Sequence, residues 1–107
     1  MHVYCKVAGI CFEGRPDVVG DLVDNYNLIG SPVTLEREPT NQYDPNAIKV
    51  ILKDKHIGYI PKDSTGLIDK LISAEVSQIG FSEGNLPYCE LKLKVKSGNP
   101  LDDILEI

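Results

Sequence analysis

The stretch between residues 33 and 62 constrains the fold more than any other part of the chain, because it holds three short β-prone runs. The runs cover residues 33–38, 47–53 and 56–60. A loop rich in proline and asparagine separates the first run from the second, and Lys53, Asp54 and Lys55 can form a tight turn before the third. Short strands divided by turns at this spacing predict a small antiparallel sheet.

The flanking sequence adds further strands and two helices. Alternating apolar residues predict strands over residues 2–11, 76–83 and 88–96. Pro16 suits the first turn of a helix over residues 17–25, and Asp63 can cap a helix over residues 64–73. Many short strands with few helices predict a mainly β fold, and we expect a small six-stranded OB-like β-barrel with two short helices over residues 1–97.

The charge of the chain is unevenly distributed. The net charge is −5 at neutral pH, and residues 98–107, a tail of acidic and apolar side chains, carry −3 of it. The stretch from residue 49 to residue 62 instead holds four lysines and one aspartate. Lys92, Lys94 and Lys96 alternate along the last predicted strand and should project from one face. The acidic total, which by itself disfavours a nucleic-acid partner, therefore conceals two basic patches.

The composition indicates one ordinary globular domain. The chain has 107 residues, of which 42% are hydrophobic and 25% are charged. No apolar run approaches the roughly 20 residues that cross a membrane, and the start of the chain lacks a signal-peptide pattern, so we expect an intracellular, cytoplasmic protein without a membrane partner. Cys5, Cys11 and Cys89 have no metal-binding spacing, so we expect neither a metal nor a cofactor.

The loop over residues 39–46 supports two interpretations. In the first, it is a turn and nothing more, because Asp44 and Asn46 are good turn-forming residues and Asn41 can cap the same loop. In the second, it is a recognition loop, in which the ring of Tyr43 offers a flat surface on which a nucleobase can stack.

Charged residues beside this loop extend the second interpretation. Arg37 follows the inward phase of the preceding strand, and it or Lys62 would neutralise a phosphate. A carboxylate repels phosphate but accepts a hydrogen bond from a sugar hydroxyl, which gives Asp44 a use at the end of a strand. A ring, a carboxylate and a lysine together suit a strand terminus better than a continuous backbone.

Two segments of the chain closely resemble the HIRAN domain family. They are LEREPTNQYDPNAIKV at residues 35–50 and IGYIPK at residues 57–62, and residues 7–9 also look like the opening strand of the family. The resemblance spans about residues 3–96. It implies an OB-like barrel that binds single-stranded DNA at a free 3′ end, with DNA repair as the expected setting.

The resemblance also implies roles for individual residues. Tyr43 matches a base-stacking tyrosine, Asp44 matches the carboxylate that accepts the terminal 3′-hydroxyl, and Lys62 falls at a basic position suited to a phosphate. Tyr59 stands where animal members have a histidine. The candidate nucleic-acid-binding residues are therefore Arg37, Asn41, Tyr43, Asp44, Tyr59 and Lys62.

The chain departs from the family pattern upstream of the second predicted strand. Animal members have an arginine and two adjacent tyrosines there, whereas this chain has LVDN at residues 22–25, with Arg15 and Tyr26 as possible substitutes. The chain also lacks the GxxxxGK[ST] loop of an ATPase motor, so a binding domain without enzyme activity is expected.

Two other functions are open on the sequence. A protein-interaction or scaffold module would use a sheet edge and the tail over residues 98–107, either for a partner protein or for self-association. A hydrolase or a metal-dependent enzyme is disfavoured, because Asp44 and His56 are its only hint and they form no metal-ligand spacing.

Overall fold

The structure is a computed structural model that describes residues 1–96. In chain order its elements are β1 (His2–Lys6), α1 (Arg15–Asn25), β2 (Thr34–Arg37), β3 (Ile48–Leu52), β4 (Lys55–Tyr59), a 3₁₀ helix (Lys62–Lys70), β5 (Leu71–Phe81) and β6 (Pro87–Val95). The predicted tail over residues 98–107, with its expected partner surface, lies outside the described residues. Within residues 1–96, neither helix has the length and apolar character needed to cross a membrane.

The six strands form two antiparallel sheets of three strands each. In the first sheet β6 lies between β1 and β5, and in the second sheet β3 lies between β2 and β4. Along β6, buried side chains alternate with more exposed ones, which is the pattern of a sheet with one face on the core. The predicted mainly β fold with six strands and two short helices is confirmed.

Isolated bridges link the two sheets at two points. Ala8, just beyond β1, pairs with Tyr59 at the end of β4, and Pro32, just before β2, pairs with Glu75 in β5. Beside the second bridge, the N–H of Val76 donates to the carbonyl oxygen of Ser31 at 2.9 Å, and the N–H of Val33 donates to that of Ala74 at 3.1 Å, so Pro32 needs no N–H of its own there. In residues 1–96 the expected barrel is thus two sheets joined at two points, without continuous ladders between them.

The core lies between the inner faces of the two sheets. Val50, Leu52 and Ile57 of the second sheet are fully buried, and so is Leu91 of the first. The helix α1 adds the fully buried Val19 and packs on β4, β5 and β6. Because each such side chain stabilises the fold by about 1.5–3 kcal/mol relative to its exposed state, these contacts hold the sheets face to face.

The second helix and the first strand differ from their predicted bounds. The helix is a 3₁₀ helix that ends at Lys70 and receives no side-chain cap from Asp63, and Leu71 begins β5, although the predicted helix continued to residue 73. A short apolar run cannot be assigned to a helix or a strand from its pattern alone. The strand β1 ends at Lys6 because the chain soon turns at Gly9, whose φ of +67° lies in the left-handed region.

Gly58 allows β4 to approach the chain that follows β1. A Cβ atom at this position would collide with Cγ1 of Val7 and would lie 2.6 Å from the carbonyl oxygen of Ala8. The absence of a side chain therefore lets the backbones of Ala8 and Tyr59 exchange hydrogen bonds of 2.8 Å in both directions. One of the two links between the sheets depends on this glycine.

We expect Gly58→Ala to lower the free energy of unfolding by about 2 kcal/mol, because overpacking in a tight site typically costs 1–3 kcal/mol. Urea unfolding followed by circular dichroism measures the change. Gly66→Ala is the matched control, because a Cβ at Gly66 meets no atom within 4 Å. Equal stability of the two variants would contradict the assigned role of Gly58.

Candidate functional site

An open cleft of about 1080 Å³ lies where the chain after β1, the loop over residues 38–44 and the end of β4 meet. Of the sequence-predicted site residues, those that line it are Asn41, Tyr43, Asp44, Tyr59 and Lys62. Segments far apart in the sequence are therefore brought together by the Ala8–Tyr59 link between the sheets.

Glu38, the residue after β2, organises the cleft. Its Oε1 atom accepts hydrogen bonds from Nδ2 of Asn41 at 2.7 Å and from the hydroxyl of Tyr59 at 3.1 Å. Its Oε2 atom forms an ion pair with Nζ of Lys49 at 3.2 Å. One carboxylate thus ties the loop to both β3 and β4.

The same contacts set the ionisation of this network. The hydrogen bond from Asn41 is the main cause that holds the pKa of Glu38 below its usual value, and the hydrogen bond to Glu38 raises the pKa of Lys49. Burial, followed by the contact with Glu38, raises the pKa of Tyr59. At neutral pH Glu38 is therefore ionised, Lys49 is charged, and Tyr59 is a neutral phenol that donates its proton to Glu38.

The loop holds its own shape through side chain to backbone hydrogen bonds. Oδ1 of Asn41 accepts from the backbone N–H groups of Tyr43 and Asp44, both at 2.9 Å, and Oδ1 of Asp44 accepts from the N–H of Asn46 at 2.9 Å. These contacts confirm the turn chemistry predicted for the loop. They also leave the side chain of Tyr43 in solvent, since this residue is 85% exposed.

Asp44 has a second carboxylate oxygen that its turn does not use. Oδ1 is occupied by the N–H of Asn46, whereas Oδ2 accepts no hydrogen bond from residues 1–96. The side chain lies at the wall of the cleft and is only partly buried. An acceptor is therefore available to a ligand without any change in the loop.

Arg15 supplies a buried positive charge beneath the cleft. Its Nη1 atom donates to the carbonyl oxygens of Gly9 at 2.8 Å and Phe12 at 3.4 Å, and its Nη2 atom pairs with the carboxylate of Glu13 at 3.0 Å. Its guanidinium carbon lies 5.3 Å from the centre of the Tyr59 ring, within cation–π range. Most of its donors are thus occupied, and Arg15 positions Tyr59.

His56 packs edge-on against Tyr59, with 4.9 Å between the ring centres. Its Nε2 atom lies 2.8 Å from the carbonyl oxygen of Gly58, so in the neutral ring this nitrogen carries the proton and donates it. Burial, followed by the nearby charge of Arg15, lowers the pKa of His56. The imidazole is therefore neutral at physiological pH, and it fixes the orientation of the tyrosine ring.

Of the remaining candidates, Lys62 lies at the rim of the cleft, whereas Arg37 and Tyr26 lie outside it. Lys62 is exposed at the rim of the cleft, and it forms no ion pair within residues 1–96. Arg37 was expected on the inner side of its strand, but it is exposed, and its Nη2 atom pairs with Oδ1 of Asp69 at 2.9 Å, outside the cleft. Tyr26 lies beside Lys53 in a different, smaller pocket, so of the two suggested substitutes only Arg15 reaches the cleft.

The cysteines lie away from the cleft wall. Cys5 and Cys89 are buried in the first sheet, where burial raises the pKa of Cys5 and raises that of Cys89 to about 12. Cys11 is exposed as a free thiol. Among the described residues, no group of His, Cys, Asp and Glu side chains is arranged to hold a metal ion.

Sequence reasoning missed several residues of the site. Glu38 looks like any strand-end glutamate, and only its three partners reveal its role. Phe12 lines the cleft with a ring that is 67% exposed, which its position just after the first predicted strand did not indicate. Lys49 and His56 also line the cleft. The alternation of their strands is the one signal that could have placed them on a shared face.

Comparison with known proteins gives a consistent family assignment. The model of the HIRAN domain family matches residues 1–99 of the chain. The helicase-like transcription factor of rabbit (Oryctolagus cuniculus) is 39% identical over 57 residues, which are 52% of this chain but 5% of that protein. The present chain therefore corresponds to a small part of that relative.

Two crystal structures share the fold. The HIRAN domain of human HLTF superposes with a TM-score of 0.57 at 22% sequence identity, covering 95% of this chain and 82% of that one. A protein from Lactobacillus plantarum superposes with a TM-score of 0.59 at 25% identity, covering 87% of this chain and 95% of that one.

Protonation of Glu38 should destabilise the protein. Because its pKa is lowered from the usual 4.5 by folding, its contribution is complete above pH 4.5 and is lost as the pH falls through the folded value. We expect urea unfolding between pH 6 and pH 3 to show a smaller loss of stability in Glu38→Gln than in the wild type. The control variant Glu83→Gln, in the turn between β5 and β6, should lose as much stability between pH 6 and pH 3 as the wild type. If Glu38→Gln also loses as much as the wild type, the assigned role of Glu38 in the network is contradicted.

Proposed function

Because this chain belongs to the HIRAN domain family, we propose that it binds single-stranded DNA and holds a free 3′ end in the cleft around Tyr59. The observation that carries this proposal is the combination, at one opening, of an exposed ring, a carboxylate oxygen and a lysine, the last two without a partner among residues 1–96. These groups belong to Tyr43, Asp44 and Lys62, as given above. A contribution to DNA repair would follow from the recognition of strand ends.

Tyr43 is suited to stack on a nucleobase. Its side chain is 85% exposed, while the hydrogen bond from its backbone N–H to Asn41 fixes the loop that presents it. An aromatic side chain has few rotatable bonds to order on binding, and stacking of one base on it contributes about 1–3 kcal/mol. Phe12, also exposed in the cleft, would provide a second aromatic surface.

The charges of the cleft favour a strand end over a continuous backbone. The opposite charges largely cancel within each of two ion pairs, Glu38 with Lys49 and Arg15 with Glu13. Among residues 1–96, this leaves Lys62 and Asp44 as the charged groups of the cleft that are open to a ligand. A continuous backbone would bring further phosphates toward Asp44 and be repelled. A terminal nucleotide offers one phosphate for the lysine and one hydroxyl for the carboxylate.

Asp44 is a better acceptor for this hydroxyl than Glu38. Both oxygens of Glu38 already have donors from the protein, so a ligand could reach it only by breaking the network. A ligand can reach Oδ2 of Asp44 without displacing any of the protein's own donors among residues 1–96. The proposed role of Glu38 is therefore to position Tyr59 and the loop.

Removal of the Tyr43 ring should weaken binding without affecting the fold. We expect Tyr43→Ala to lose about 1–3 kcal/mol of binding free energy for a short oligothymidylate with a free 3′-hydroxyl, and Tyr43→Phe to retain most of it. Fluorescence anisotropy of a 5′-labelled oligonucleotide measures the change. Tyr26→Ala, in the other pocket, is the control, and an equal loss in both alanine variants would argue against base stacking at Tyr43.

Exchange of one oxygen at Asp44 should remove the preference for a hydroxyl end. We expect the wild type to bind a 3′-hydroxyl oligonucleotide about tenfold more tightly than its 3′-phosphate counterpart, because hydrogen bonds to charged groups contribute about 1.5–3 kcal/mol. Asp44→Asn keeps an oxygen for the N–H of Asn46 but removes the carboxylate, so this preference should largely disappear.

The control for this experiment is Asp54→Asn, which makes the same chemical change in the β3–β4 turn. It should preserve the discrimination between the two oligonucleotide ends. If the wild type binds both ends equally, end recognition is wrong, even if the cleft binds single-stranded DNA.

A further inference from the structure

Arg15 has N–H groups at the cleft that the protein itself does not use. A guanidinium carries five N–H donors, one on Nε and two on each terminal nitrogen. Nη1 donates to the carbonyl oxygens of Gly9 and Phe12, and one N–H of Nη2 donates to the carboxylate of Glu13. The N–H of Nε and the second N–H of Nη2 meet no acceptor among residues 1–96.

These two unused donors belong to a buried group. The side chain of Arg15 is only 8% exposed, although it lines the cleft. Buried polar groups in folded proteins nearly always have a hydrogen-bond partner, because a buried donor without an acceptor has lost water and gained nothing in its place. The unused donors therefore indicate a place for an acceptor from outside residues 1–96.

The contact between Arg15 and Glu13 can be exchanged for a contact with a ligand. The side chain of Glu13 is 77% exposed, and it meets the guanidinium through one oxygen and one nitrogen, Oε2 and Nη2, at 3.0 Å. Water and salt screen a carboxylate in such a position, so the pair contributes little. A phosphate can instead accept two parallel hydrogen bonds from Nε and Nη2, which is the stronger arrangement.

Release of Glu13 leaves the other contacts of Arg15 in place. The two hydrogen bonds of Nη1 to Gly9 and Phe12 involve neither Nε nor Nη2. The guanidinium carbon also stays 5.3 Å from the centre of the Tyr59 ring. One nitrogen of the guanidinium is thus fixed in the fold, while the other two are available to a ligand.

The helix that begins at Arg15 favours the same class of ligand. The N-cap of α1 is Gly14, and no side chain caps the first N–H groups of this helix of 11 residues. The N-terminus of a helix carries a partial positive charge and favours anions. Asp17 adds a carboxylate to the first turn, but its side chain is exposed and does not line the cleft. The dipole of α1 and the unused donors of Arg15 therefore both favour an anion.

Resting on the proposed function, we propose that Arg15 binds an internucleotide phosphate of the DNA in the cleft, in place of the carboxylate of Glu13. Nε and Nη2 donate to two oxygens of this phosphate, while Nη1 keeps its hydrogen bonds to the protein. Glu13 takes the position of the phosphate in the free protein and turns into solvent when the strand enters. The charge of Arg15 is compensated in both states, so the exchange requires no free cation.

The test uses a short oligothymidylate with a free 3′-hydroxyl, in which each internucleotide phosphate in turn is replaced by an uncharged methylphosphonate. Fluorescence anisotropy in phosphate-free buffer measures the affinity of the wild type and of Glu13→Gln. Glu13→Gln should bind the unmodified oligonucleotide about threefold more tightly, because an amide competes for Arg15 less well than a carboxylate does. This gain should disappear when the phosphate that binds Arg15 is uncharged, and it should persist when any other phosphate is.

A second variant, Arg15→Lys, keeps the positive charge but removes the planar pair of donors. It should bind the unmodified oligonucleotide about fivefold more weakly and should not respond to the methylphosphonate at the position found with Glu13→Gln. Because Arg15 also positions Tyr59, thermal unfolding must show that this variant is folded. The conclusion does not depend on it, since Glu13→Gln changes only an exposed side chain.

The matched control is Glu36→Gln, which makes the same chemical change on β2. Glu36 lies opposite Lys49, is exposed and does not line the cleft. The variant removes one negative charge near the cleft without changing the contacts of Arg15. It should bind the unmodified and the modified oligonucleotides in the same ratio as the wild type.

Three results would overturn the inference. One is equal affinity of the wild type and Glu13→Gln for the unmodified oligonucleotide, which leaves the proposed cleft intact but removes the exchange. Another is a gain in Glu13→Gln that persists at every modified position, which indicates a general charge effect. The third is the absence of binding by the wild type, which overturns the proposed function together with the inference.

Discussion

The site depends on the close approach of two backbones, where β4 meets the chain that follows β1. Gly58 makes this approach possible, because any side chain there would occupy the space of Val7 and Ala8. The resulting pair of hydrogen bonds joins the two sheets and sets Tyr59 beside the segment that carries Arg15. Without this link, the loop over residues 39–46 and the chain after β1 would not border a common cleft.

Much of the fold could be predicted from the sequence, because alternation of apolar residues reports burial directly. Each of the six strands lies where this pattern placed it, with different ends. The way in which the two sheets join could not be predicted, since it depends on contacts between distant segments, at Gly58 and at the bridge of Pro32 with Glu75. The boundary between the 3₁₀ helix and β5 could not be predicted either, because Leu71 fits both helical and strand periodicity.

The candidate site was predictable where a residue acts through local chemistry, and not where it acts through tertiary partners. Asn41 and Asp44 follow turn chemistry, and the loop presents Tyr43 as expected. Arg37 has the inward phase of its strand, but the strand ends there, and Asp69 on the 3₁₀ helix offers a partner in solvent. Glu38 acts through Asn41, Lys49 and Tyr59, a relation that no local pattern contains.

The charge of the whole chain says little about what each surface can bind. Within residues 1–96, the paired charges in the cleft leave the amine of Lys62 and one carboxylate oxygen of Asp44 for a ligand. The most direct measurement is therefore a titration of the ¹⁵N-labelled protein with a short 3′-hydroxyl oligothymidylate, followed by NMR. The account predicts that the largest saturable shifts occur at the backbone amides of the non-proline residues in the ranges 41–46 and 58–62. Shifts centred on the pocket around Tyr26, or no saturable shift in the cleft, would contradict it.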